Sequence, residues 1–143
     1  MRKAFVAVAA VVMLAVVVQF FLAASGAFDS APTDEAFRPH RALGYITVLL
    51  AVVLTIVAAV TRMPGRLIGL SGLVAGLCVL QPVIAIVARA FGDTGDTTAA
   101  GQFVFGLHAL NGLIMMNVLR TILNEGREQT ATVAPTRARS VAG

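Results

Sequence analysis

Four long apolar stretches, Ala4–Ala24, Ala42–Val60, Leu67–Ala88 and Phe103–Leu119, leave this chain one economical way to fold. Each approaches the ~20 residues that carry a helix across a hydrocarbon core. The strict polar/apolar alternation of a membrane β-barrel is absent. Inside a bilayer every backbone N–H and C=O must be satisfied within the segment, which predicts four helices. The expected fold class is therefore all-α, an integral membrane four-helix up-down-up-down bundle. It occupies one domain, residues 1–123, followed by a polar tail over 124–143 that reads as disordered and cytoplasmic. With 58% hydrophobic and 13% charged residues, the chain falls outside the range of ordinary soluble domains.

The net charge of +4 is sorted by side. Arg2, Lys3, Arg62, Arg66, Arg120, Arg127, Arg137 and Arg139 flank the N-terminus, the middle loop and the C-terminal tail. The other two loops hold only Arg38, Arg41 and Arg89, together with Asp29, Asp34, Glu35, Asp93 and Asp96. That asymmetry puts both termini inside a plasma membrane, with the lipid bilayer as first partner and anionic headgroups against the basic end. A nucleic-acid surface would need a basic face with stacking aromatics, and none is present. Met1-Arg-Lys and the run to Ala-Ser-Gly-Ala27 resemble a secretory signal peptide, but the apolar part exceeds the usual ~7–15 residues, so it reads as a retained first helix.

Punctuation along the chain fits four helices. Pro39 suits the first turn of the second helix. Thr61-Arg-Met-Pro-Gly-Arg66 reads as a tight inner turn. Gln81-Pro82 predicts a kink in the third helix, and Thr97 or Thr98 a cap for the fourth. Cys78 is alone, which excludes paired-thiol redox chemistry and reads as packing. No carboxylate lies in any span, and no phosphate loop, serine triad or zinc cluster is present, so no catalytic residue is assigned. Gly69, Gly72 and Gly76 form a small-residue stripe that reads as a helix-contact face.

His40 and His108 are the only histidines, one in each half. Each half is a hairpin whose outer loop begins Ala-Phe, reaches aspartate, and enters a helix bearing His-x-x-x-Gly (His40 with Gly44, His108 with Gly112). In an up-and-down bundle the second and fourth helices are diagonal, roughly 11–14 Å apart, which leaves room for a macrocycle between two imidazoles. A glycine four residues on lies on the histidine's own face, where a flat ring can come close. His40 and His108 are thus the candidate metal ligands of one haem b. Gly44 and Gly112 form its bed, and Arg38 and Arg41 pair with its propionates. Gln19, Gln81, Asn111 and Thr47 are candidate polar neighbours. One expectation pulls the other way. A helix starting at Pro39 puts His40 at the membrane surface, whereas His108 lies ~13 Å deep in a helix starting near Ala99. On the plain alternative, His40 is an interfacial residue beside Arg38 and Arg41, and His108 is a packing residue partnered by Asn111.

Two resemblances follow from these residues. Phe37-Arg-Pro-His-Arg-Ala-Leu-Gly44, Arg62-Met-Pro-Gly-Arg66, Phe91-Gly-Asp-Thr-Gly-Asp96 and Phe105-Gly-Leu-His-Ala-Leu-Asn-Gly112 resemble a family of small actinobacterial four-helix membrane proteins of unknown function. That likeness implies no activity. More distantly, His40-Arg41 and His108 are similar to the ligand positions in one four-helix half of haem A synthase, which implies haem binding. The catalytic glutamate that this enzyme carries three residues before its first histidine is Phe37 here, which counts against oxidative chemistry on a farnesylated haem. The expected function is haem binding for electron transfer or haem handling. The alternative is a cofactor-free accessory subunit or assembly factor of a larger membrane or respiratory complex.

Overall fold

Runs of valine and isoleucine are mediocre helix formers in water, but in an apolar medium the helix is the local structure that pairs every backbone group. The computed structural model describes residues 2–92 and 98–131, and among them all regular structure is helical. Four helices are long and apolar enough to cross a membrane: α1 (Arg2–Ala27), α3 (Arg38–Val60), α4 (Gly65–Ala90) and α5 (Ala99–Ala131). A single turn, α2 (Thr33–Ala36), precedes α3. Each long helix packs on two neighbours in the cyclic order α1, α3, α4, α5, and among the described residues the diagonals α1/α4 and α3/α5 make no backbone approach.

The bundle is sorted inside out relative to a soluble one. Its core mixes small residues (Ala9, Ala51, Ala58) with Phe5, Leu54, Leu67 and Leu119, while Leu14, Leu49, Ile56, Ile86 and Leu113 face outward. An apolar exterior this extensive belongs against lipid. Hydroxyls within the spans bond to their own helices: Thr47 Oγ1 donates to the Leu43 carbonyl (2.8 Å) and Ser71 Oγ to that of Leu67 (2.8 Å). Thr47 is therefore satisfied locally and takes no part in the histidine layer. Cys78 is buried with its Sγ 3.4 Å from Met115 Sδ, a packing role.

The inner turn closes α3 with a Schellman arrangement. Met63 N–H donates to Ala58 O and Arg62 N–H to Ala59 O (both 3.0 Å), and Met63 is buried as its apolar lock. Arg62 sits at φ 52°, the position glycine usually takes. Thr98 caps α5 by accepting from Gly101 N–H (3.1 Å), while Thr97 lies outside the described residues.

Two sequence expectations shift. Residues 124–131, read as the start of the tail, continue α5, because Ile122, Leu123 and Gly126 are buried. Phe5 seats over Gly126, where an added Cβ would lie 3.2 Å from its ring. Arg2 donates to Gln129 O (3.3 Å), and Arg66 pairs with Glu125. The rest of the expected tail, 132–143, lies outside the described residues. The glycine stripe of α4 is not a contact face within this chain: Gly69 and Gly76 have no neighbour within 4 Å of an added Cβ, and Gly72 has only Thr55 Cγ2 at 4.0 Å. The packing stripe of α4 is instead Leu67, Ser71, Val74 and Cys78, side chains bulky enough to fill a core.

Candidate functional site

Two histidine side chains and two glutamine backbone carbonyls, one group from each long helix, meet at one level. The His40 and His108 rings, on the diagonal helices α3 and α5, have centroids 6.1 Å apart at an interplanar angle of 49°. Each ring is tied to the preceding helix of its own half. His40 Nδ1 donates to the Gln19 carbonyl on α1 (3.1 Å), and His108 Nδ1 donates to the Gln81 carbonyl on α4 (3.2 Å). A carbonyl oxygen only accepts, so each Nδ1 carries a proton, and in a neutral ring that leaves the lone pair on Nε2. A ring N–H held by a backbone carbonyl in this way is what orients a metal-binding imidazole.

The depth conflict resolves through the helix ends. α1 runs eight residues beyond Gln19, α4 nine beyond Gln81, and α5 begins nine residues before His108. At 1.5 Å per residue the histidine layer lies about 12–14 Å below those ends. α3 alone starts short, two residues before His40. The gap above it is filled by α2, which Gly26 admits: an added Cβ there would meet Ala36 O at 3.0 Å. His40 is therefore within the bundle rather than at its surface, because the chain reaches down before α3 begins.

The remaining candidates distribute unevenly. Gly44 and Gly112 do create room, and side chains of the neighbouring helices occupy it. An added Cβ at Gly44 would lie 3.2 Å from Gln19 Nε2, and one at Gly112 would lie 3.0 Å from Phe20 Cζ and 3.4 Å from Gln81 Nε2. The side-chain oxygens of Gln19 and Gln81 are buried with no hydrogen-bond partner. Arg41 is held by Asp34 of α2 through an ion pair (3.4 Å) and a bond to its carbonyl, which competes with any propionate. Arg38 is exposed. Asn111 does not partner His108. Its Nδ2 donates to Leu77 O on α4 (2.9 Å), next to the Cys78 carbonyl that Pro82 deprives of its helical donor. His108 and Asn111 thus clamp α5 onto α4 at two carbonyls one turn apart. Asn111→Leu is expected to lower stability by about 1 kcal/mol, the usual worth of an interhelical hydrogen bond in a membrane, read as a lower melting midpoint in detergent.

Among the described residues no three of His, Cys, Asp or Glu converge, so a bare zinc-type ion would lack ligands. Haem needs only two from the protein, since its macrocycle supplies four. His40 and His108, with ring centroids 6.1 Å apart, are the two residues that would hold it. The two imidazole donors fit a haem between His40 and His108, with the flexible side chains of Gln19, Phe20 and Gln81 lying over the glycines beside them.

Residues 19–89 match the model of a family of unknown function, DUF6220. The DUF6220 match runs from Gln19 through His40 and Gln81 to the end of α4, and stops before His108. No curated protein and no solved structure matches the chain.

One feature of the site escaped sequence reasoning although its signal was present. Phe37 sits edge-on to His40 (6.2 Å, 87°), and Phe105 stacks on His108 (5.3 Å, 13°). The repeat is therefore Phe-x-x-His-x-x-x-Gly in both halves, one position type longer than the His-x-x-x-Gly first noted.

Proposed function

We propose that this chain is a multi-pass protein of the plasma membrane, an up-and-down bundle with both termini inside, that binds one b-type haem between His40 and His108. The observation that carries the reading is the pair of imidazoles 6.1 Å apart, each anchored through Nδ1 on a glutamine carbonyl, which leaves Nε2 for a metal. Bound there, the haem would supply a one-electron ferric/ferrous couple in the outer half of the bilayer. The chain's residues would fix the ring tautomers and hold both ligands at one depth, with Phe37 edge-on to His40 and Phe105 stacked on His108. Electron transfer or haem handling is the role such a site suits, and the similarity of His40-Arg41 and His108 to haem A synthase ligand positions points the same way.

A second reading, a cofactor-free accessory subunit or assembly factor, is favoured by the outward Gly69 and Gly76, which offer a close-approach face to another helix. Titrating the haem-free protein with haem in detergent separates the two. Saturation at one haem per chain is expected. Absence of saturable binding by a folded protein overturns the haem reading in favour of the subunit.

A further inference from the structure

We propose that Gln19 and Gln81 are a matched pair of displaceable plugs that set how readily the site accepts its flat ligand, an inference that rests on the haem reading above. Each carboxamide folds over the glycine one turn along from the histidine that its own backbone anchors, Gln19 over Gly44 and Gln81 over Gly112. In both, the side-chain oxygen is buried without a partner. One orphaned amide is a local misfit, whereas the same misfit at both equivalent positions of an internal repeat is a property of the repeated unit.

The physical consequence is a plug that is easily moved. A buried acceptor without a donor destabilises its resting place, so moving this amide out costs less than moving a satisfied or apolar side chain of similar size. The histidine is held by the backbone carbonyl of the same residue, so the side chain can swing away while the ring stays anchored. The space it leaves lies about 6 Å along the helix from the imidazole, within reach of a macrocycle centred between the two rings. Haem then gains the glycine beds, and each amide gains the chance of a donor elsewhere.

Two double variants test this, because they act oppositely. Gln19→Met with Gln81→Met keeps the volume and removes the orphaned oxygens. It is expected to melt higher than wild type without haem, and to bind haem more slowly and about tenfold more weakly. Gln19→Ala with Gln81→Ala removes both carboxamides, leaving only the flexible Phe20 ring over Gly112, and is expected to take up haem faster than wild type. A wild-type-like visible spectrum in both loaded variants is the expected sign that the histidine pair is intact. The inference is overturned if the alanine variant loses haem, which would make the glutamines ligand contacts. It is overturned equally if the methionine variant binds with wild-type rate and affinity. A wild-type protein that takes up no haem overturns the functional reading and this inference with it, a result distinguishable from either failure among the variants.

Discussion

Alanine at either His40 or His108 is expected to abolish the low-spin, six-coordinate haem spectrum, and the double variant to bind no haem above detergent background. The two rings are the only imidazoles in the chain, and each would supply one Nε2, so either variant would lose one of the two ligands. Both single variants should remain folded. His108→Ala removes a bond between α5 and α4, but the Asn111 bond to Leu77 O one turn away remains. The loss is about 1 kcal/mol and leaves the bundle folded. His40→Ala removes a bond near the start of α3, where α2 and the Asp34–Arg41 pair still hold the helix in place. Visible spectra and melting curves on the same preparations check both statements. A wild-type spectrum in both single variants would put the ligands elsewhere.

Leucine at Gly112 is the second large effect, and a control at the other end of the bundle separates site from scaffold. Even a Cβ at Gly112 would press on Phe20 Cζ at 3.0 Å and Gln81 Nε2 at 3.4 Å. Both are ends of flexible side chains, and Phe20 is 36% exposed, so it can yield outward. Gly112→Leu therefore costs about 1–3 kcal/mol in stability yet fills the bed on which a macrocycle must lie, and haem binding should be lost. At Gly126 the neighbours are Phe5, fully buried, and Val6, each 3.2 Å from an added Cβ. With nowhere for Phe5 to go, Gly126→Leu is expected to destabilise at least as much, by about 3 kcal/mol, while the folded fraction keeps its haem spectrum. Haem occupancy and melting midpoint measured on both variants test this opposition.

Hydropathy made the four helices legible, because a backbone in lipid has so few alternatives. Helix offsets along the bundle axis were not legible. Apolar run lengths bound a helix without saying how far it slides past its neighbour, so the sequence put His40 at the surface. The offset is set instead by Gly26 admitting the Ala36 carbonyl and by α2 bridging down to Arg38. The end of α5 was missed for a related reason. Asn124 to Ala131 looks polar, and its helix depends on Phe5 over Gly126 and on Arg66 with Glu125, partners far away in sequence. Gly69, Gly72 and Gly76 misled in the opposite sense, since spacing reveals a small-residue face but not what lies against it. At the site, both histidines and both glycines could be named from the repeat. That Gln19 and Gln81 each bind a histidine through the backbone could not, because any residue type supplies a carbonyl.

The most direct measurement is a reduced-minus-oxidised visible spectrum of the wild-type chain, purified in detergent after expression with haem available. The expected result is a sharp α-band from bis-imidazole haem at one per chain, the outcome predicted by the proposal that the two rings 6.1 Å apart share a haem. A folded, monodisperse and colourless protein that also fails to take up added haem would contradict the account.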